Sequence, residues 1–497
     1  MSLNNRTRVL AIALDAAEPT FVRRLIDEGQ MPALASLLAR GRWLRVDSPA
    51  YIGSGAVWPS FITGDRPQNH GIYGEWLWNA DSMSLTRYAG DDLNPFWKQL
   101  DESGTSVGVF DLPFMPVVGL RHGFEVSEWG PHDILRGKML SGSETIAHIV
   151  RQYSPHPMQT RVQVEGPHDY QSLKALGEIC LRGIRARGEL ARRLIKETAP
   201  HLAIVGFNEI HRSAHYFWHT VEPNHQIYSQ NGFAALHPTQ PSLTDIFREI
   251  DRQIGELIET VGDETYVAVF SLHGMRPTHG TPAFLPELLR EIGFARIKGA
   301  RDRSWSDLPK NWFGAFKRII PAELKKLYYN SLPATVTHQL ARVTMLPLYD
   351  WAHTRAFSLP TDQHGWIRLN LAGREAAGIV APELYDETCG ALEERLRNLR
   401  SDKGEPLVSK VFRTANDVEA AQKQRLPDLV IHWADAVFTS HRIADSNISP
   451  EFVGRKYVGQ HALEGFCIAP GNGSWHEDRI RAEDLHSLFT RALCAKK

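Results

Sequence analysis

The chain has 497 residues, of which 42% are hydrophobic and 23% are charged, a composition that is ordinary for a soluble globular protein. Its formal net charge of −1 excludes a global basic field, so no nucleic-acid partner is expected. The four cysteines show no C-x-x-C spacing, which argues against a thiolate zinc site and a disulfide framework. Length alone suggests two or three domains.

The first predicted element is a buried strand at residues 8–14, RVLAIAL, which ends at Asp15. Its apolar run is too short for a signal-peptide core or for a membrane span. We therefore expect a cytoplasmic protein without stable membrane insertion. Helical patterns follow at residues 18–27 and 32–39, and Asp15 is either the N-cap of the first helix or a functional carboxylate.

A Gly-Ser-Gly sequence at residues 53–55 precedes an apolar run at residues 56–62 that predicts a short helix. A hydroxyl at the start of such a helix lies where backbone N–H groups and the helix dipole favour an anion. This position would favour both a Ser54 alkoxide and a bound phosphate or sulfate. The alternative is that Ser54 only caps the helix.

Residues 75–170 are rich in Trp, Gly and Pro, and they predict an irregular inserted cap segment with short strands, one of them at residues 106–110. A long amphipathic helix is predicted at residues 172–196, with apolar side chains along one face. We assign its many arginines to the opposite, solvated face.

Two histidines follow the next buried strand, which is LAIV at residues 202–205. If the segment is helical, the i, i+4 spacing of His211 and His215 places both rings on one face, about 5–6 Å apart at Cβ. The carboxyl end of such a strand is where an open α/β sheet usually binds its ligand. The alternative is a pair of surface or core histidines.

The next predicted elements are again a helix followed by a buried strand. The helix is predicted at residues 242–260 and begins with a capping-box pattern, Ser242-x-x-Asp245. The strand at residues 265–272, TYVAVFSL, ends at His273. Strand, helix and strand at this spacing predict an α/β fold with a mostly parallel central sheet flanked by helices.

The composition changes at residues 301–346, which are basic and aromatic. We interpret residues 300–350 as an inserted lid segment or surface hairpin, and we favour a solvated helix pair over a segment that contacts an anionic substrate or a membrane surface. The fold resumes with predicted elements at residues 366–371 (strand), 385–399 (helix) and 426–433 (strand), before Gly459-Gln460-His461.

Together these segments resemble the alkaline phosphatase superfamily, in its branch of type I phosphodiesterase and nucleotide pyrophosphatase-like proteins. The resemblance covers most of the chain and is carried, in family order, by VLAIALDA (9–16), GSGAVWPSFITGDRPQNHGIYG (53–74), H-x-x-x-H-Y-F-W (211–218), SLHGM (271–275), DWAHTRAF (350–357), NLAGREAAG (370–378) and GQHALEGFCIAPG (459–471). It implies one alkaline phosphatase-like catalytic domain over residues 1–497, with the two inserted segments described above.

The resemblance also implies a site. It identifies Ser54 as the nucleophile and His273 as a second catalytic residue, and it assigns no residue to an organic cofactor. The implied ligands of one or two divalent metal ions are Asp15, Ser54, His211, His215, His273 and His461. The expected ion is zinc, with manganese or iron as alternatives.

Two positions depart from the family pattern. His211 stands where the family has an aspartate, and Leu272 stands where the second metal normally receives one. Leucine cannot ligate a metal. The chain therefore keeps three histidines for a first metal, whereas the second site keeps only Asp15, His273 and Ser54.

The leading functional prediction is a metal-dependent hydrolase that acts on a small phosphorylated anion, a phosphodiester or a phosphoanhydride. One alternative is a mononuclear tris-histidine enzyme of the same fold with sulfatase-like, phosphonate-cleaving, group-transfer or iron-dependent redox chemistry. A second alternative is a protein that binds a phosphorylated ligand without turning it over.

Overall fold

The structure is a computed structural model, and the residues that it describes are 8–88, 90, 92–130, 138–158, 170–225, 228, 240–278, 281–299, 345–361, 363–450, 452–453, 457–471 and 478–494. Most of the predicted lid at residues 300–350 lies outside them. The chain divides into two compact units. Unit 1 is formed from residues 1–66, 89–278 and 456–497, and unit 2 from residues 67–88 and 279–455. The expectation of a single catalytic domain with two inserted segments remains a prediction.

The strands of the described residues are numbered in chain order. They are β1 (Val9–Leu14), β2 (Gly41–Asp47), β3 (Trp76–Asn79), β4 (Ser84–Arg87), β5 (Val107–Phe110), β6 (Phe124–Ser127), β7 (Met139–Ser141), β8 (Leu202–Phe207), β9 (Tyr266–Ser271), β10 (Met275–Pro277), β11 (Thr281–Pro282), β12 (Ala356–Leu359), β13 (Gly365–Leu369), β14 (Val408–Arg413), β15 (Leu429–Trp433), β16 (Phe452–Val453), β17 (Gly459–His461), β18 (Glu464–Pro470) and β19 (Arg479–Arg481).

The α-helices of the same residues are also numbered in chain order. They are α1 (Pro19–Asp27), α2 (Pro32–Arg40), α3 (Val57–Thr63), α4 (Pro67–His70), α5 (Phe96–Glu102), α6 (Glu144–Gln152), α7 (Tyr170–Thr198), α8 (Glu209–Phe217), α9 (Leu243–Val261), α10 (Leu285–Glu291), α11 (Tyr385–Arg397), α12 (Val418–Lys423), α13 (Ala436–Thr439) and α14 (His486–Cys494). No helix among the described residues is long and apolar enough to cross a membrane.

Unit 1 is built on a nine-stranded sheet with the strand order β19-β2-β18-β9-β1-β8-β5-β6-β7. Its centre is parallel, because β1 pairs in parallel with both β8 and β9, and β5 pairs in parallel with β8 and β6. Every residue of β1 and β8 is buried, which explains their continuous apolar runs. The predicted α/β fold with a mostly parallel sheet is confirmed.

Part of the segment predicted as an irregular cap belongs to this sheet instead. Strand β5 is the short strand predicted at residues 106–110, whereas β6 was not predicted, because four residues are too few for an apolar pattern to identify a strand. The two strands approach closely at Gly108, where an added Cβ would lie 2.4 Å from the ring of Phe124. Gly108 is therefore required by the packing of these two strands.

Unit 2 contains a four-stranded antiparallel sheet, β12-β13-β15-β14. The sequence predicted strands at residues 366–371 and 426–433 as a continuation of the main fold, but in the structure they form this separate sheet. An aromatic cluster packs beside it, with the ring of Phe357 4.8 Å from Trp78 and 5.0 Å from Trp351. The DWAHTRAF segment at residues 350–357 therefore contributes to the core of unit 2.

Candidate metal centre

The candidate site lies where the three central strands of unit 1 end. Asp15 directly follows β1, His273 follows β9, and helix α8 begins two residues after β8. Since β1 lies between β8 and β9 and runs parallel to both, their carboxyl ends meet at one edge of the sheet. Sheet topology therefore brings together groups that are up to 258 positions apart in the sequence.

Three histidines converge at this edge. The Nε2 atom of His211 lies 3.0 Å from Nε2 of His215 and 2.7 Å from Nε2 of His461. Ligand atoms of all three residues lie within 4.8 Å of one another, which is close enough to hold one metal ion. The predicted i, i+4 face of α8 is present, and its two rings point toward the same place.

Pairing between β10 and β17 brings His461 to this place. In this short antiparallel pair His461 is opposite Met275, two residues beyond His273. The rings of His461 and His273 consequently lie with their centroids 4.8 Å apart. A pairing between two segments that are far apart in the sequence thus adds the last predicted ligand to the site at the ends of the parallel strands.

Asp15 is buried beside these histidines, with 1% of its surface exposed. Its Oδ2 lies 3.2 Å from Nδ1 of His211, and its Oδ1 lies 3.7 Å from Nε2 of His273. Burial alone would raise the pKa of Asp15, but the charges and hydrogen bonds of His211 and His273 hold it well below its usual range. Asp15 is therefore a carboxylate at neutral pH.

His215 is held in one tautomer. Its Nδ1 lies 2.8 Å from the carbonyl oxygen of Gly459, and because a carbonyl only accepts, Nδ1 carries the hydrogen. Burial, followed by the charges of His211 and His461, lowers the pKa of His215 well below its ordinary value. A neutral ring with a hydrogen on Nδ1 presents the Nε2 lone pair to the cluster, as a metal ligand must.

Ser54 begins a short 3₁₀ turn, Ser54–Ala56, that continues directly into α3. Gly53 precedes the turn and Ala56 precedes the α-helix, so Ser54 is not the N-cap of α3. The segment is attached to the centre by Trp58, whose indole N–H donates to Asp15 Oδ1 at 2.9 Å. Ser54 is half-buried and thus retains access to solvent.

Leu272 lies on the same edge, between the end of β9 and His273. It is buried, with 1% of its surface exposed, and it offers no ligand atom. The imidazole and carboxylate groups named above thus include one acidic side chain, Asp15. The described residues supply one group of three ligands, and Asp15 and His273 lie beside that group rather than within it.

A buried charge cluster behind α8 was missed by the sequence reasoning. Arg187, on α7, is fully buried and forms ion pairs with Glu209 at 2.8 Å and Asp111 at 2.7 Å. His156 donates to the same Glu209 carboxylate at 2.9 Å. The assignment of the α7 arginines to the solvated face is therefore wrong for Arg187. Its i+3 spacing from Ile184, on the apolar stripe, was the signal that could have found it.

Comparisons with known proteins agree with this architecture. The family model for type I phosphodiesterase / nucleotide pyrophosphatase matches residues 9–457. No curated protein matches the chain. Two solved structures of phosphonoacetate hydrolase from Sinorhizobium meliloti, in complex with phosphonoformate and with phosphonoacetate, are similar to it at 16% and 15% identity, with TM-scores of 0.55 and 0.53. Both matches cover 99% of this chain and 96% of the phosphonoacetate hydrolase chain.

A third structure, murine ectonucleotide pyrophosphatase / phosphodiesterase 5 in complex with AMP, has 12% identity and a TM-score of 0.46. This match covers 99% of the present chain and 96% of the murine chain. At these identities the two phosphonoacetate hydrolase structures show a similar fold and nothing more, whereas the family match extends over nearly the whole chain. The chain therefore belongs to the type I phosphodiesterase / nucleotide pyrophosphatase family of the alkaline phosphatase superfamily, a family of hydrolases.

Proposed function

We propose that the chain is a metal-dependent hydrolase of a small phosphate ester, a phosphodiester or a phosphoanhydride, with Ser54 as its nucleophile. The observation that carries this proposal is the convergence of three imidazole nitrogens beside a buried carboxylate, to which Trp58 attaches the Ser54 segment. Three imidazoles suit a catalytic zinc ion, and iron and manganese also accept them. The donor set therefore fits a divalent ion held by His211, His215 and His461.

A bound cation would supply positive charge for the anionic phosphoryl group and lower the pKa of a hydroxyl or water beside it. The residues of the chain supply the nucleophile and the proton transfer. Ser54 Oγ forms a bond to phosphorus as the bond to the leaving oxygen breaks. His273, whose Nε2 lies 3.7 Å from Asp15 Oδ1, takes the proton of the Ser54 hydroxyl and gives a proton to the leaving oxygen. Water then attacks the phosphoserine and releases phosphate or a phosphomonoester.

Ser54→Ala tests the covalent step. We expect loss of bis(p-nitrophenyl) phosphate hydrolysis by a factor on the order of 10³ or more, because the nucleophile is removed while the three clustered histidines remain. The matched control is Ser60→Ala, which removes a buried hydroxyl from the same segment, one that donates to the carbonyl of Ala56 at 2.8 Å. The control should retain activity. Hydrolysis that survives Ser54→Ala would exclude the serine nucleophile.

A second candidate function is a mononuclear tris-histidine enzyme with another reaction, such as sulfate-ester or phosphonate cleavage, group transfer or iron-dependent redox chemistry. The apolar, buried Leu272 favours it, because a two-metal clamp on the attacking and leaving oxygens lacks a usual carboxylate. Metal analysis of the purified protein separates the two candidates. Zinc or manganese together with diester turnover supports the first, and one equivalent of iron without phosphatase activity supports the second.

A further inference from the structure

A small cavity adjoins the candidate metal centre at the start of α8. Its volume is about 20 Å³, and its wall includes Asn208, Glu209, His211 and Arg212. His211 also belongs to the candidate centre, where its Nε2 lies 2.7 Å from Nε2 of His461. A water molecule needs at least about 10–15 Å³ of such space, so the cavity admits one small polar group and no larger part of a ligand.

The buried charge cluster on the wall of this cavity forms its bonds within the protein. Arg187 pairs with Glu209 at 2.8 Å and with Asp111 at 2.7 Å. Glu209 also accepts from Nε2 of His156 at 2.9 Å, and Nδ1 of that ring accepts the backbone N–H of Met158 at 3.0 Å. These side chains therefore do not depend on a ligand for their partners.

Asn208, in contrast, has an amide oxygen without a partner. The residue is buried, with 8% of its surface exposed, and its Nδ2 donates to the carbonyl oxygen of Asp111 at 2.9 Å. That bond fixes the direction of the amide, because the carbonyl oxygen accepts and would repel Oδ1. Among the described residues Oδ1 has no hydrogen-bond partner. A buried acceptor requires a donor, and the cavity that Asn208 lines has room for one.

Arg212 supplies the complementary donors. It is half-buried and lies one turn after Asn208, and the i, i+4 spacing places both side chains on the same face of α8. Unlike Arg187, it belongs to none of the ion pairs of the described residues. Its guanidinium neighbours the hydroxyl of Tyr216, but a guanidinium has five N–H donors and keeps several for a ligand.

An acceptor and a cationic donor on one cavity wall select a neutral hydroxyl group. A phosphate or carboxylate oxygen would bring a second acceptor against Oδ1 of Asn208, on a wall that also carries the Glu209 carboxylate. An ammonium group would meet the positive charge of Arg212. A hydroxyl group can donate to Asn208 and accept from Arg212 at the same time, and it is about the size of a water molecule.

We propose that this cavity binds one hydroxyl group of the substrate, which donates to Oδ1 of Asn208 and accepts from the guanidinium of Arg212. The preferred substrates are then phosphate esters of polyols that carry a hydroxyl on a carbon close to the ester oxygen, because the cavity adjoins the candidate metal centre at His211. This inference rests on the proposed function, since it takes a phosphate ester as the substrate. Asn208 and Arg212 determine specificity and take no part in bond breaking.

The test is the binding of two phosphate monoesters to the zinc-loaded chain, measured by isothermal titration calorimetry. Glycerol 3-phosphate and n-propyl phosphate have the same charge and chain length, and only the first carries hydroxyl groups. We expect the wild type to bind glycerol 3-phosphate about 10–100-fold more tightly, which is the effect of one hydrogen bond to a charged donor. The ratio of the two Kd values cancels any change that acts on the phosphate group alone.

Asn208→Leu and Arg212→Met each remove one partner of the hydroxyl group. In both variants the ratio should fall to about 1, because a hydroxyl that has left water then lacks a partner in the cavity. Arg193→Met is the matched control, since it removes the same charge from an exposed position on α7, and it should keep the wild-type ratio. Circular dichroism checks that each variant is folded.

Three results would overturn the inference. They are a wild-type ratio of about 1, which would mean that the cavity holds an ordered water only, an unchanged ratio in Arg212→Met, or an equal fall of the ratio in Arg193→Met. The wild type and Arg212→Met decide the question even if Asn208→Leu does not fold. A chain that shows the expected ratios and hydrolyses no phosphate ester would contradict the proposed function while leaving the hydroxyl site intact.

Discussion

Residue 272 determines how many carboxylates the candidate centre contains. Leu272 ends the apolar run of β9 and is buried immediately before His273, on the edge where Asp15 lies. The backbone therefore already places a side chain at a position where the family supplies a ligand. The side chain at that position is leucine, which has no atom that can bind a metal ion.

Replacing Leu272 with aspartate should create a second zinc site next to Asp15 and His273. The metal-free variant should be less stable than the wild type, because a carboxylate is buried without a partner. Zinc should then raise its melting temperature beyond the increase seen for the wild type, corresponding to about 2.7 kcal/mol when zinc is at 100 times its Kd. Thermal unfolding with and without zinc measures this difference.

Leu272→Asn is the control, since its side chain has the shape of aspartate without the charge. It should lose stability and show no extra stabilisation by zinc. Equal zinc responses of the two variants would show that position 272 does not lie beside a metal site. Diester hydrolysis that appears only in Leu272→Asp would mean that the native reaction is of another kind.

Helix α8 carries two of the three clustered histidines, and buried charges hold its first turn. Glu209, its first residue, pairs with Arg187, which also pairs with Asp111 and donates to the carbonyl of Gly206 at 3.0 Å. Burial alone would raise the pKa of Glu209, but Arg187 and His156 lower it to about 2. One arginine thus fixes the start of α8 to α7 and to the loop after β5.

Arg187→Met should lower the free energy of unfolding by about 3–5 kcal/mol, since it leaves two carboxylates buried without their cation. Urea denaturation followed by circular dichroism measures the loss. Arg193→Met, an exposed position on the same helix, should change stability by less than about 0.5 kcal/mol. A small effect of Arg187→Met would mean that the cluster does not hold α8 in place.

In the whole molecule each unit contains its own buried ion network. In unit 2, Asp428 receives two hydrogen bonds from Arg374, at 2.8 and 2.7 Å, and one from the backbone N–H of Leu369. Glu375 pairs with both Arg374 and Arg368, and all four side chains are at most 4% exposed. The NLAGREAAG segment supplies Arg374 and Glu375, so it serves the packing of this unit.

Stability should therefore fall in acid. Burial alone would raise the pKa of Asp428, but Arg374 and Arg368 lower it below its ordinary value. The stabilisation is then present above the unfolded pKa of about 3.9 and is lost as pH falls through the lower, folded value. Thermal melts between about pH 5 and pH 2 should show the loss, with a shallower slope in Asp428→Asn.

Asp386→Asn provides the comparison for this pH series. Asp386 pairs with Arg413 at 2.7 Å on the surface, with 68% of its side chain exposed, so it should leave the slope unchanged. An identical slope in Asp428→Asn and the wild type would show that other groups control acid unfolding.

The sequence by itself determined the long elements and the candidate residues. The helix predicted at residues 242–260 is α9 with its capping box, and the strand predicted at residues 8–14 is β1, each within one residue. These predictions succeed because apolar periodicity and capping are local, so their signal lies within one window of the chain. The resemblance identified the candidate site residues for the same reason, because each of its motifs lies within one short segment of the chain.

Only the tertiary structure decided how those residues meet. His211 and His461 are 250 positions apart, and their contact depends on the pairing of β17 with β10. The contact between His211 and Asp15 depends on β1 lying beside β8. Burial of Arg187 and the short strand β6 likewise follow from packing between distant segments, which no local pattern encodes. The sequence thus named the candidate ligands, and the order of the strands determines which of these side chains meet.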